Sequence, residues 1–573
     1  MITDVCIGTV YFDIRGSCRI FGNVFEISLY LQPMKPKHLL LGDEAFALGA
    51  INAGLSGAYA YPGTPSTEIM EFVQSNQVAK ERGIHRHWSS NEKTAMEEAL
   101  GMSFAGKRTI VSMKHVGLNV AADPFVNSAM TGANGGLIVV SADDPSMHSS
   151  QNEQDSRFFA DFAMLPTLEP SDQQEAYDMA AYGFDMSERL RLPVLLRFVT
   201  RLSHSRGVVT SDDAPRIENT LSFPEDTRRW VLMPGNSRLR NRALIAEQEL
   251  LKEDSERSPF NRYTDGPDKS LGIIVSGIAS NYLNEVFPDG CPFPTVKVSQ
   301  YPLPCKMIGR LADETEAILV IEEGQPFIER QLKGLLDRGV KVYGKMDGHL
   351  NRDGELTPDS VRNAVAKFHP YTDAAPITCE GKKSALTVPR PPALCQGCGH
   401  RDVYGALNDA IGAYDCPKVF GDIGCYTLGW LSPFNALDTC VDMGASITMA
   451  KGAADAGVHP AIAIIGDSTF THSGMTGLLD AINEDSPITV IISDNLTTGM
   501  TGGQDSQGTG KLEDICLGLG ASPEHVHTID SHPRNHDEMV ALFRKEFDHN
   551  GLSVIVSRRE CIQTAKRHAK KNR

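Results

Sequence analysis

Short apolar runs alternate along the chain with longer stretches whose apolar residues recur at helical spacing. In the first third of the sequence the apolar runs are residues 109–113, 137–141 and 194–199. The helical stretches beside them are residues 44–55, 92–105 and 172–187. Apolar runs without polar alternation are typical of parallel strands that helices cover on both faces. The pattern therefore predicts an α/β unit over residues 35–210.

The same alternation occurs twice more, between polar and proline-rich stretches. The apolar runs are 271–276, 317–322 and 340–343 in a second predicted unit (268–370), and 418–421, 461–465, 488–493 and 552–557 in a third (393–562). The remaining predicted segments are an N-terminal extension (1–34), a connector with one exposed helix (211–267), a linker (371–392) and a basic tail (563–573). The predicted fold class is α/β, with three parallel-sheet domains.

Composition and charge narrow the class of protein. The 573 residues allow three or four domains at about 100 to 200 residues each. The 55 Lys and Arg against 72 Asp and Glu give a net charge of -17, which disfavours nucleic acid as a partner. No apolar run reaches the about 18 residues that span a bilayer, and charged residues interrupt the N-terminus, so no membrane insertion or export is expected. The 12 Cys are too few for a disulfide framework, which favours a cytoplasmic protein with free or ligating thiols.

The first chemical signal is Gly466-Asp467-Ser468, directly after the apolar run 461–465. Asn495 closes the next apolar run in the same way. Since neighbouring parallel strands end at one edge of a sheet, the Asp carboxylate and the Asn amide oxygen are expected to meet there, and such oxygens suit Mg²⁺. The alternative is an ordinary β-α-β unit in which Asp467 caps a helix and Asn495 forms a turn. The spacing favours the binding site, because it resembles the thiamine diphosphate motif Gly-Asp-Gly followed by Asn, with Ser468 in place of the second Gly.

The second signal is Cys395-Gln-Gly-Cys398-Gly-His. A Cys-x-x-Cys pair is compatible with a redox pair, half of a zinc site or two free thiols, whereas Gly399 excludes c-type haem attachment. Cys425 and Cys561 each follow a predicted strand of the same unit. Loops at strand ends can bring Cys395, Cys398, Cys425 and Cys561 together as the four thiolates of a 4Fe-4S cluster. The alternative is that Cys561 only ends a strand and the other thiols are free.

The third signal lies in the first predicted unit. The sequence Tyr61-Pro-Gly-Thr64-Pro-Ser66 predicts a turn that opens a helix, and Glu92 begins a predicted helix. Without context, a carboxylate at a helix N-terminus is explained by charge complementarity with the helix dipole.

Together these residues resemble the large (alpha) subunits of the 2-oxoacid:ferredoxin oxidoreductase family, those of the indolepyruvate type. The resemblance extends from about Lys37 to Cys561. The segments that carry it are, in order, 61–66, 113–119 (Met-Lys-His-Val-Gly-Leu-Asn), 201–206, 322–329, 344–348, 421–429 and 443–447. Several motifs in one order are far more specific than any single motif.

The resemblance implies a pyrimidine-binding domain first, a transketolase-C-like domain second and a diphosphate-binding domain third. It implies that Glu92 hydrogen-bonds the aminopyrimidine ring of thiamine diphosphate. The other residues that it implies are Gly466, Asp467, Ser468, Asn495, Gly444, Ala445 and Ser446 for the cofactor, Asp467, Asn495 and the Thr497 carbonyl for Mg²⁺, and Thr64, Lys114 and His115 on the substrate side.

The reaction implied is attack of the thiamine ylide on a 2-oxo acid, an aryl pyruvate such as indolepyruvate, with loss of CO₂, single-electron oxidation through the cluster and transfer of the acyl group to coenzyme A. The implied partners are a small beta subunit and ferredoxin or a similar acceptor, in an oligomer of alpha-beta units. Relatives carry a ferredoxin-like module after the third domain, whereas no Cys follows Cys561 here. One cluster is therefore expected, with electrons leaving through another polypeptide or to a different acceptor.

Two other functions are compatible with the residues. A non-oxidative thiamine diphosphate-dependent decarboxylase or carboligase needs Glu92, Asp467 and Asn495 but not four thiolates. A non-catalytic scaffold subunit needs only the fold, and the presence of these three residues argues against it.

Overall fold

A computed structural model describes most of the chain. The described ranges are 35–212, 215–225, 228–230, 232, 234–335, 339–351, 354–368, 392–440, 443–455 and 457–571, with the backbone of two short strands before them. The predicted extension 1–34 lies outside these residues except for the antiparallel pair β1 (Cys18–Ile20) and β2 (Asn23–Phe25). The predicted linker 371–392 lies outside them except at Pro392.

The first unit is built on a sheet whose own strands are all parallel. The strands of this part of the chain are β3 (Lys37–Leu41), β4 (Gly57–Ala60), β5 (His85–Trp88), β6 (Thr109–Lys114), β7 (Leu137–Asp143), β8 (Thr167–Leu168), β9 (Val194–Val199) and β10 (Arg206–Thr210). The helices are α1 (Gly42–Asn52), α2 (Thr67–Ser75), α3 (Gln77–Glu81), α4 (Glu92–Phe104), α5 (His115–Val120), α6 (Ala122–Thr131), α7 (Arg157–Ala163), α8 (Gln173–Leu190) and α9 (Thr200–His204). The sheet order is β8-β9-β7-β6-β4-β5, and β3 pairs with β10 separately.

The second unit follows the long helix α10 (Pro234–Glu256), which is mostly exposed, as the predicted connector requires. Its strands are β11 (Arg262–Thr264), β12 (Gly272–Ser276), β13 (Thr295–Val298), β14 (Gln300–Tyr301), β15 (Ala317–Ile321) and β16 (Lys341–Tyr343). Its helices are α11 (Ala279–Val286), α12 (Cys305–Glu314), α13 (Phe327–Leu335) and α14 (Pro358–Ala366). The sheet order is β11-β13-β12-β15-β16, parallel except for β11, while β14 extends the first sheet beside β8.

The third unit contains a fully parallel six-stranded sheet in the order β18-β17-β19-β20-β24-β23. The strands are β17 (Lys418–Gly421), β18 (Thr439–Cys440), β19 (Ala461–Gly466), β20 (Ile488–Asp494), β21 (Thr497–Thr498), β22 (Gln504–Asp505), β23 (Val526–Asp530) and β24 (Ser553–Arg558). The helices are α15 (Gly399–Ile411), α16 (Ala445–Asp455), α17 (Asp467–Thr469), α18 (Met475–Asn483), α19 (Leu512–Leu519), α20 (His536–Phe547) and α21 (Ile562–Lys571). The predicted α/β class with parallel sheets is confirmed. Residues 563–571 of the predicted basic tail are helical, as part of α21.

Burial explains how the units are held. One continuous hydrophobic core runs from the α1 and α8 side of the first sheet into the second unit, and a separate core fills the other face of the first sheet. The third sheet has its own cores on its two faces. No helix within the described residues has the length and apolar character needed to cross a membrane.

A buried arginine, Arg157 of α7, joins the first unit to the second. Its Nη2 lies 2.5 Å from Oδ2 of Asp155, and its Nη1 lies 3.0 Å from Oε2 of Glu322, directly after β15. Its Nη2 also donates to the carbonyl oxygen of Glu323 at 3.1 Å. The side chains of all three ionic partners are at most 1% exposed. The second unit thus supplies part of the charge balance of the first.

Arg197 of β9 extends this network. Its Nε lies 2.6 Å from Oδ2 of Asp143, and its Nη1 lies 2.5 Å from Oε1 of Glu169. Its Nη2 donates to the same Glu323 carbonyl at 3.2 Å. Burial raises the pKa of Asp143 to about 6, against the opposing effect of the Arg197 charge. Buried charges are costly unless they are paired. Removing either arginine alone would therefore leave buried carboxylates without a partner.

We predict that Arg157→Met lowers the free energy of unfolding by about 3 to 5 kcal/mol, because removing one partner leaves buried carboxylates uncompensated. Urea unfolding followed by circular dichroism measures the effect. The control is Lys93→Met, which breaks the exposed pair of Lys93 with Glu97 and should change the midpoint little. Equal effects of the two substitutions would contradict a stabilising role for the buried network.

Candidate active site

The carboxyl edges of the first and third sheets face each other within the chain. Four hydrogen bonds between described residues cross between the two units. The Nδ2 of Asn91 donates to the carbonyl oxygen of His472 at 2.9 Å, and Nε2 of Gln507 donates to the carbonyl oxygen of Trp88 at 3.0 Å. The Nε2 of Gln504 donates to Oε1 of Glu71 at 2.9 Å, and Glu92 meets His472. The ends of β5 and β19 therefore open into one space, where ligands of parallel sheets bind.

Glu92 is the first residue of α4 and is buried, with 5% of its surface exposed. The N-cap is Asn91, whose side chain accepts from the Thr94 N–H. The Glu92 Oε2 atom lies 2.7 Å from Nε2 of His472 in the third unit. Glu92 is thus at a helix N-terminus, as charge complementarity requires, but its carboxylate points out of the first unit and into the shared space.

Gly117 of α5 backs the Glu92 side chain. A Cβ atom at Gly117 would lie 2.5 Å from Oε1 of Glu92 and 2.6 Å from its Cγ. Only glycine therefore allows α5 to approach Glu92 this closely. This contact explains why a glycine occurs within the segment 113–119.

The loop 61–66 forms one wall of the space. It follows β4 and leads into α2, and it is closed by a hydrogen bond from Ser66 Oγ to the Gly63 carbonyl oxygen at 2.8 Å. The Tyr61 ring packs edge-on against the His472 ring, with 4.7 Å between ring centroids. Burial, and next the Glu92 carboxylate, raise the pKa of the Tyr61 hydroxyl. Tyr61 is therefore neutral, and its ring lines the space while its hydroxyl is buried.

The residues expected on the substrate side lie together around the end of β6. Lys114 Nζ donates to the Ser149 carbonyl oxygen at 2.8 Å, and Ser149 Oγ donates to the Thr64 carbonyl oxygen at 3.3 Å. His115 Nε2 lies 3.3 Å from Ser150 Oγ, and its Nδ1 has no partner among the described residues. Burial lowers the pKa of Lys114 to about 8 and that of His115 to about 4. Near pH 7 the site therefore presents one ammonium group and one neutral imidazole.

In the third unit, Asp467 follows β19 directly and begins α17. The helix therefore starts at Asp467 itself, immediately after the strand. The carboxylate is buried, and no described group hydrogen-bonds its Oδ2 atom. Burial, and next the Asp494 carboxylate, raise the pKa of Asp467 to about 7. A buried carboxylate with an unpartnered oxygen fits a bound cation, which would compensate its charge.

The neighbouring strand β20 ends in Asp494 and Asn495. Asp494 pairs with Arg558, with 2.6 Å between Oδ2 and Nε. The Asn495 Oδ1 accepts from the Thr497 N–H at 3.1 Å, and its Nδ2 lies 3.3 Å from Nε2 of His400. Since the Asn495 amide nitrogen faces the ring, His400 Nε2 is an acceptor and its Nδ1 donates to Ser493 Oγ at 2.7 Å.

Gly466 and Ser468 flank Asp467 as expected. A Cβ at Gly466 would lie 2.7 Å from Cε1 of Tyr426, so glycine is needed for this packing. Ser468 Oγ lies 2.6 Å from Thr498 Oγ1. The serine that replaces the second Gly of the motif therefore holds the loop that follows β20 beside Asp467.

The segment 444–446 is tied to Asp422, a residue that the sequence did not single out. The backbone N–H groups of Gly444 and Ser446 donate to Asp422 Oδ2 at 3.1 and 3.2 Å. Gly444 has φ +93, and a Cβ there would lie 2.6 Å from Cβ of Ser473. Burial raises the pKa of Asp422 to about 6, opposed by these hydrogen bonds and that of Tyr426. Ala445 begins α16, so Asp422 anchors this helix start.

The four predicted cysteine ligands line one cavity of about 80 Å³ together with His400 and Asn495. Cys395 and Cys398 precede α15, Cys425 follows β17 and Cys561 follows β24. All four are free thiols, and Cys395 is exposed at the mouth. Burial, and next the neighbouring thiolates of Cys398, Cys561 and Cys395, raise the pKa of Cys425 to about 12. Four thiols that line one cavity favour a ligand that stabilises several thiolates at once.

No group of three or more His, Cys, Asp or Glu within the described ranges is arranged to hold a metal ion. Neither the expected Mg²⁺ site nor the expected cluster site requires three such side chains around one ion. The expected Mg²⁺ ligands include one carboxylate, Asp467, beside an amide oxygen and a backbone carbonyl. In a 4Fe-4S cluster each thiolate binds a different iron, so the sulfurs surround a cluster and not one ion.

Several residues of the site were not expected from the sequence. They are His472, Asn91, His400, Asp422, Tyr426 and Gly117. His400 lies two residues after Cys398, and Asn91 directly precedes Glu92. The remaining three, Gly117, Asp422 and Tyr426, lie within segments of the family resemblance. Only His472 carried no signal, because 380 residues separate it from Glu92.

Two family models match the two units that form this edge. Residues 48–243 match "Pyruvate flavodoxin/ferredoxin oxidoreductase, thiamine diP-bdg". Residues 422–557 match "Thiamine pyrophosphate enzyme, C-terminal TPP binding domain". The facing sheets are thus those of a thiamine diphosphate-dependent enzyme of the 2-oxoacid:ferredoxin oxidoreductase class.

Full-length relatives narrow the class. The chain is 39% identical over 547 residues to indolepyruvate oxidoreductase subunit IorA of Archaeoglobus fulgidus, covering 92% of this chain and 86% of the relative. It is 37% identical over 578 residues to IorA of Thermococcus kodakarensis, covering 94% and 88%. A solved 2-oxoglutarate:ferredoxin oxidoreductase from Magnetococcus marinus matches with 18% identity and a TM-score of 0.48, covering 58% of this chain and 65% of that one. The chain belongs to the family of the indolepyruvate oxidoreductase subunits IorA.

We predict that Gly117→Ala lowers 2-oxo acid-dependent turnover by about 10²-fold, the cost of misplacing a reacting group by about 1 Å. The new Cβ would displace the end of the Glu92 side chain, which can move, so the unfolding temperature should change little. The control is Gly101→Ala on the exposed face of α4, where a Cβ meets nothing within 4 Å. That variant should keep full turnover, and full turnover in Gly117→Ala as well would contradict the role of this contact.

Proposed function

We propose that the chain is the large subunit of an enzyme that oxidatively decarboxylates a 2-oxo acid, an aryl pyruvate such as indolepyruvate, to acyl-CoA and CO₂. Electrons leave through one 4Fe-4S cluster to ferredoxin or a similar acceptor. The observation that carries the proposal is the four-thiol cavity, which shares Asn495 with the edge that carries Asp467. A non-oxidative decarboxylase has no use for such a cavity beside its cofactor.

The proposed domains are a pyrimidine-binding domain (35–210), a transketolase-C-like domain (268–370) and a diphosphate-binding domain (393–562). Thiamine diphosphate supplies the carbanion that attacks the 2-oxo group and the electron sink for loss of CO₂. Asp467, Asn495 and the Thr497 carbonyl would hold Mg²⁺ on the diphosphate, and Gly466, Ser468 and the segment 444–446 would border it. The unpartnered Asp467 oxygen supports the cation.

Glu92 is proposed to hydrogen-bond the aminopyrimidine ring and to exchange a proton with it. Its burial supports this role, because a carboxylate withdrawn from water interacts strongly with a ring nitrogen. On the substrate side, the Lys114 ammonium would bind the 2-oxo acid carboxylate. Neutral His115 and the Thr64 loop would orient the oxo group.

The partners proposed are a small beta subunit, coenzyme A and a protein electron acceptor, in an oligomer of alpha-beta units. The relatives that match over most of their length are named as subunits of an oxidoreductase, which supports a second polypeptide.

The proposed function predicts about four irons per chain in anaerobically purified protein, the content of one 4Fe-4S cluster. Cys561→Ser should lose most of this iron and its acceptor reduction while thiamine diphosphate still binds. Cys416→Ser, at an exposed thiol outside the cavity, is the control and should keep both. Zinc instead of iron, or no metal, would contradict the oxidative reaction and favour the non-oxidative decarboxylase.

A second prediction concerns the cation. Asp467→Ala should abolish Mg²⁺-dependent binding of thiamine diphosphate, because Mg²⁺ that bridges a diphosphate has no substitute for a direct carboxylate ligand. Titration calorimetry with both ligands measures it. Asp480→Ala, at an exposed position of α18, is the matched control and should bind normally. Unchanged affinity in Asp467→Ala would leave Asp467 as a helix-starting residue only.

A third prediction follows from Lys114. Burial lowers its pKa to about 8, with Asp144 opposing the shift, so the side chain is a cation below about pH 8 and neutral above. The KM for the 2-oxo acid should therefore rise as the pH increases beyond about 8. In Lys114→Arg the KM should stay level over this range, because a guanidinium stays charged. Lys80→Arg, an exposed control on α3, should keep the wild-type profile, and an identical profile in Lys114→Arg would exclude Lys114 as the carboxylate-binding group.

A further inference from the structure

His472 lies in the space between the carboxyl edges of the first and third sheets, and the proposed function gives it no role. It belongs to the segment Phe470–Gly474, which is π-helical between α17 and α18. Such single-turn π segments are rare within helices and occur often at functional sites, because the extra residue re-aims a side chain. Here the segment brings the imidazole, five residues after Asp467, to the N-terminus of α4 in the other unit.

The His472 side chain is held at every polar atom. Its side chain is 1% exposed, and Nε2 lies 2.7 Å from Oε2 of Glu92, whose side chain alone is 7% exposed. Its Nδ1 pairs with Ser473 Oγ. Its backbone carbonyl accepts from Asn91, the residue before Glu92, and its ring packs against Tyr61. The imidazole therefore has one orientation, set from both units.

The proton between the two groups follows from hydrogen-bond chemistry. An ionised carboxylate only accepts, so a Glu92 carboxylate requires the proton on His472 Nε2. Nδ1 accepts from the Ser473 hydroxyl in a neutral ring and donates to Ser473 Oγ in an imidazolium, and Nε2 donates to Glu92 in both forms. One oxygen of Glu92 is thereby occupied, while Oε1 lies against Gly117 and keeps its lone pairs for another donor.

We propose that His472 is the positioning residue of Glu92: its Nε2–H fixes the carboxylate across the domain interface and leaves Oε1 for the aminopyrimidine ring. The inference rests on the proposed function for the role of Glu92 toward the cofactor. A correctly oriented carboxylate needs a partner that is itself held rigidly, and His472 meets this requirement.

A merely structural docking contact is the competing explanation. The same interface contains Gln507, which donates to the Trp88 carbonyl at 3.0 Å without touching Glu92. Gln507→Leu is therefore the matched control, since it removes an interface hydrogen bond of similar length. If docking alone matters, His472→Leu and Gln507→Leu should behave alike.

The first experiment uses the cofactor-free protein with ¹⁵N-labelled histidine. NMR should show the His472 ring, assigned by its loss in His472→Gln, with a proton on Nε2. Glu92→Gln should shift that Nε2–H signal, because the carboxylate acceptor is replaced by an amide, whereas Gln507→Leu should not. A His472 ring without a proton on Nε2, or one that does not respond to Glu92→Gln, would overturn the inference.

The second experiment measures exchange of the C2 proton of bound thiamine diphosphate with deuterium in the absence of 2-oxo acid. His472→Leu should slow this exchange by about 10²-fold, as expected for a misplaced group. His472→Gln, which keeps a donor amide, should restore most of the rate, and Gln507→Leu should leave it within about twofold. Titration calorimetry should show that all three variants still bind thiamine diphosphate with Mg²⁺.

A double-mutant cycle decides whether His472 acts through Glu92. Glu92→Gln should slow exchange by about 10² to 10⁴, and adding His472→Leu should slow it no further. Additive losses would show an independent role for His472 and overturn the inference. If Glu92→Gln itself leaves exchange unchanged, the proposed role of Glu92 fails. If Glu92→Gln slows exchange and His472→Leu does not, only the inference about His472 fails.

Discussion

The site depends on one geometric constraint, that the carboxyl ends of two parallel sheets in one chain must face each other. Parallel strands place their loops and helix starts at one edge, so each sheet alone offers half of a site. Glu92 starts α4 in the first unit, and Asp467 starts α17 in the third. The 2.7 Å contact between Glu92 and His472 is where the halves meet, and it holds only if both edges are aligned.

The forces that maintain this alignment differ between the two interfaces. The first and second units share a continuous hydrophobic core and a buried ion network around Arg157 and Arg197, so separating them would expose apolar surface and uncompensated charge. The third unit meets the first through hydrogen bonds of polar side chains, such as Gln507 to Trp88. A polar interface around a site leaves room for a ligand and can rearrange when the ligand binds.

In the third unit, the end of β20 adjoins both the thiol cavity and the sheet edge that carries Asp467. Asn495 follows β20 beside Asp467, its amide faces His400, and its carbonyl oxygen accepts from the Cys561 N–H at 3.0 Å. Asn495 thus lines the thiol cavity and lies at the sheet edge that also carries Asp467. Burial lowers the pKa of the neighbouring His400 to about 4, so its imidazole adds no charge there near pH 7.

The sequence by itself determined what depends on neighbours along the chain. Apolar runs such as 461–465 and 488–493 became β19 and β20, and residues directly after them, Asp467 and Asn495, had to lie at one edge. The same rule, that loops at the strand ends of one sheet lie together, predicted that the four cysteines would lie close to one another. Only the tertiary structure decided which distant groups meet, because a pattern of burial does not specify partners. It placed β14 in the first sheet, bound the N–H groups of Gly444 and Ser446 to Asp422, began the helix at Asp467 and set His472 against Glu92, 380 residues away. The raised pKa of Asp467 and the lowered pKa of Lys114 likewise come from burial, which exists only once the units are packed.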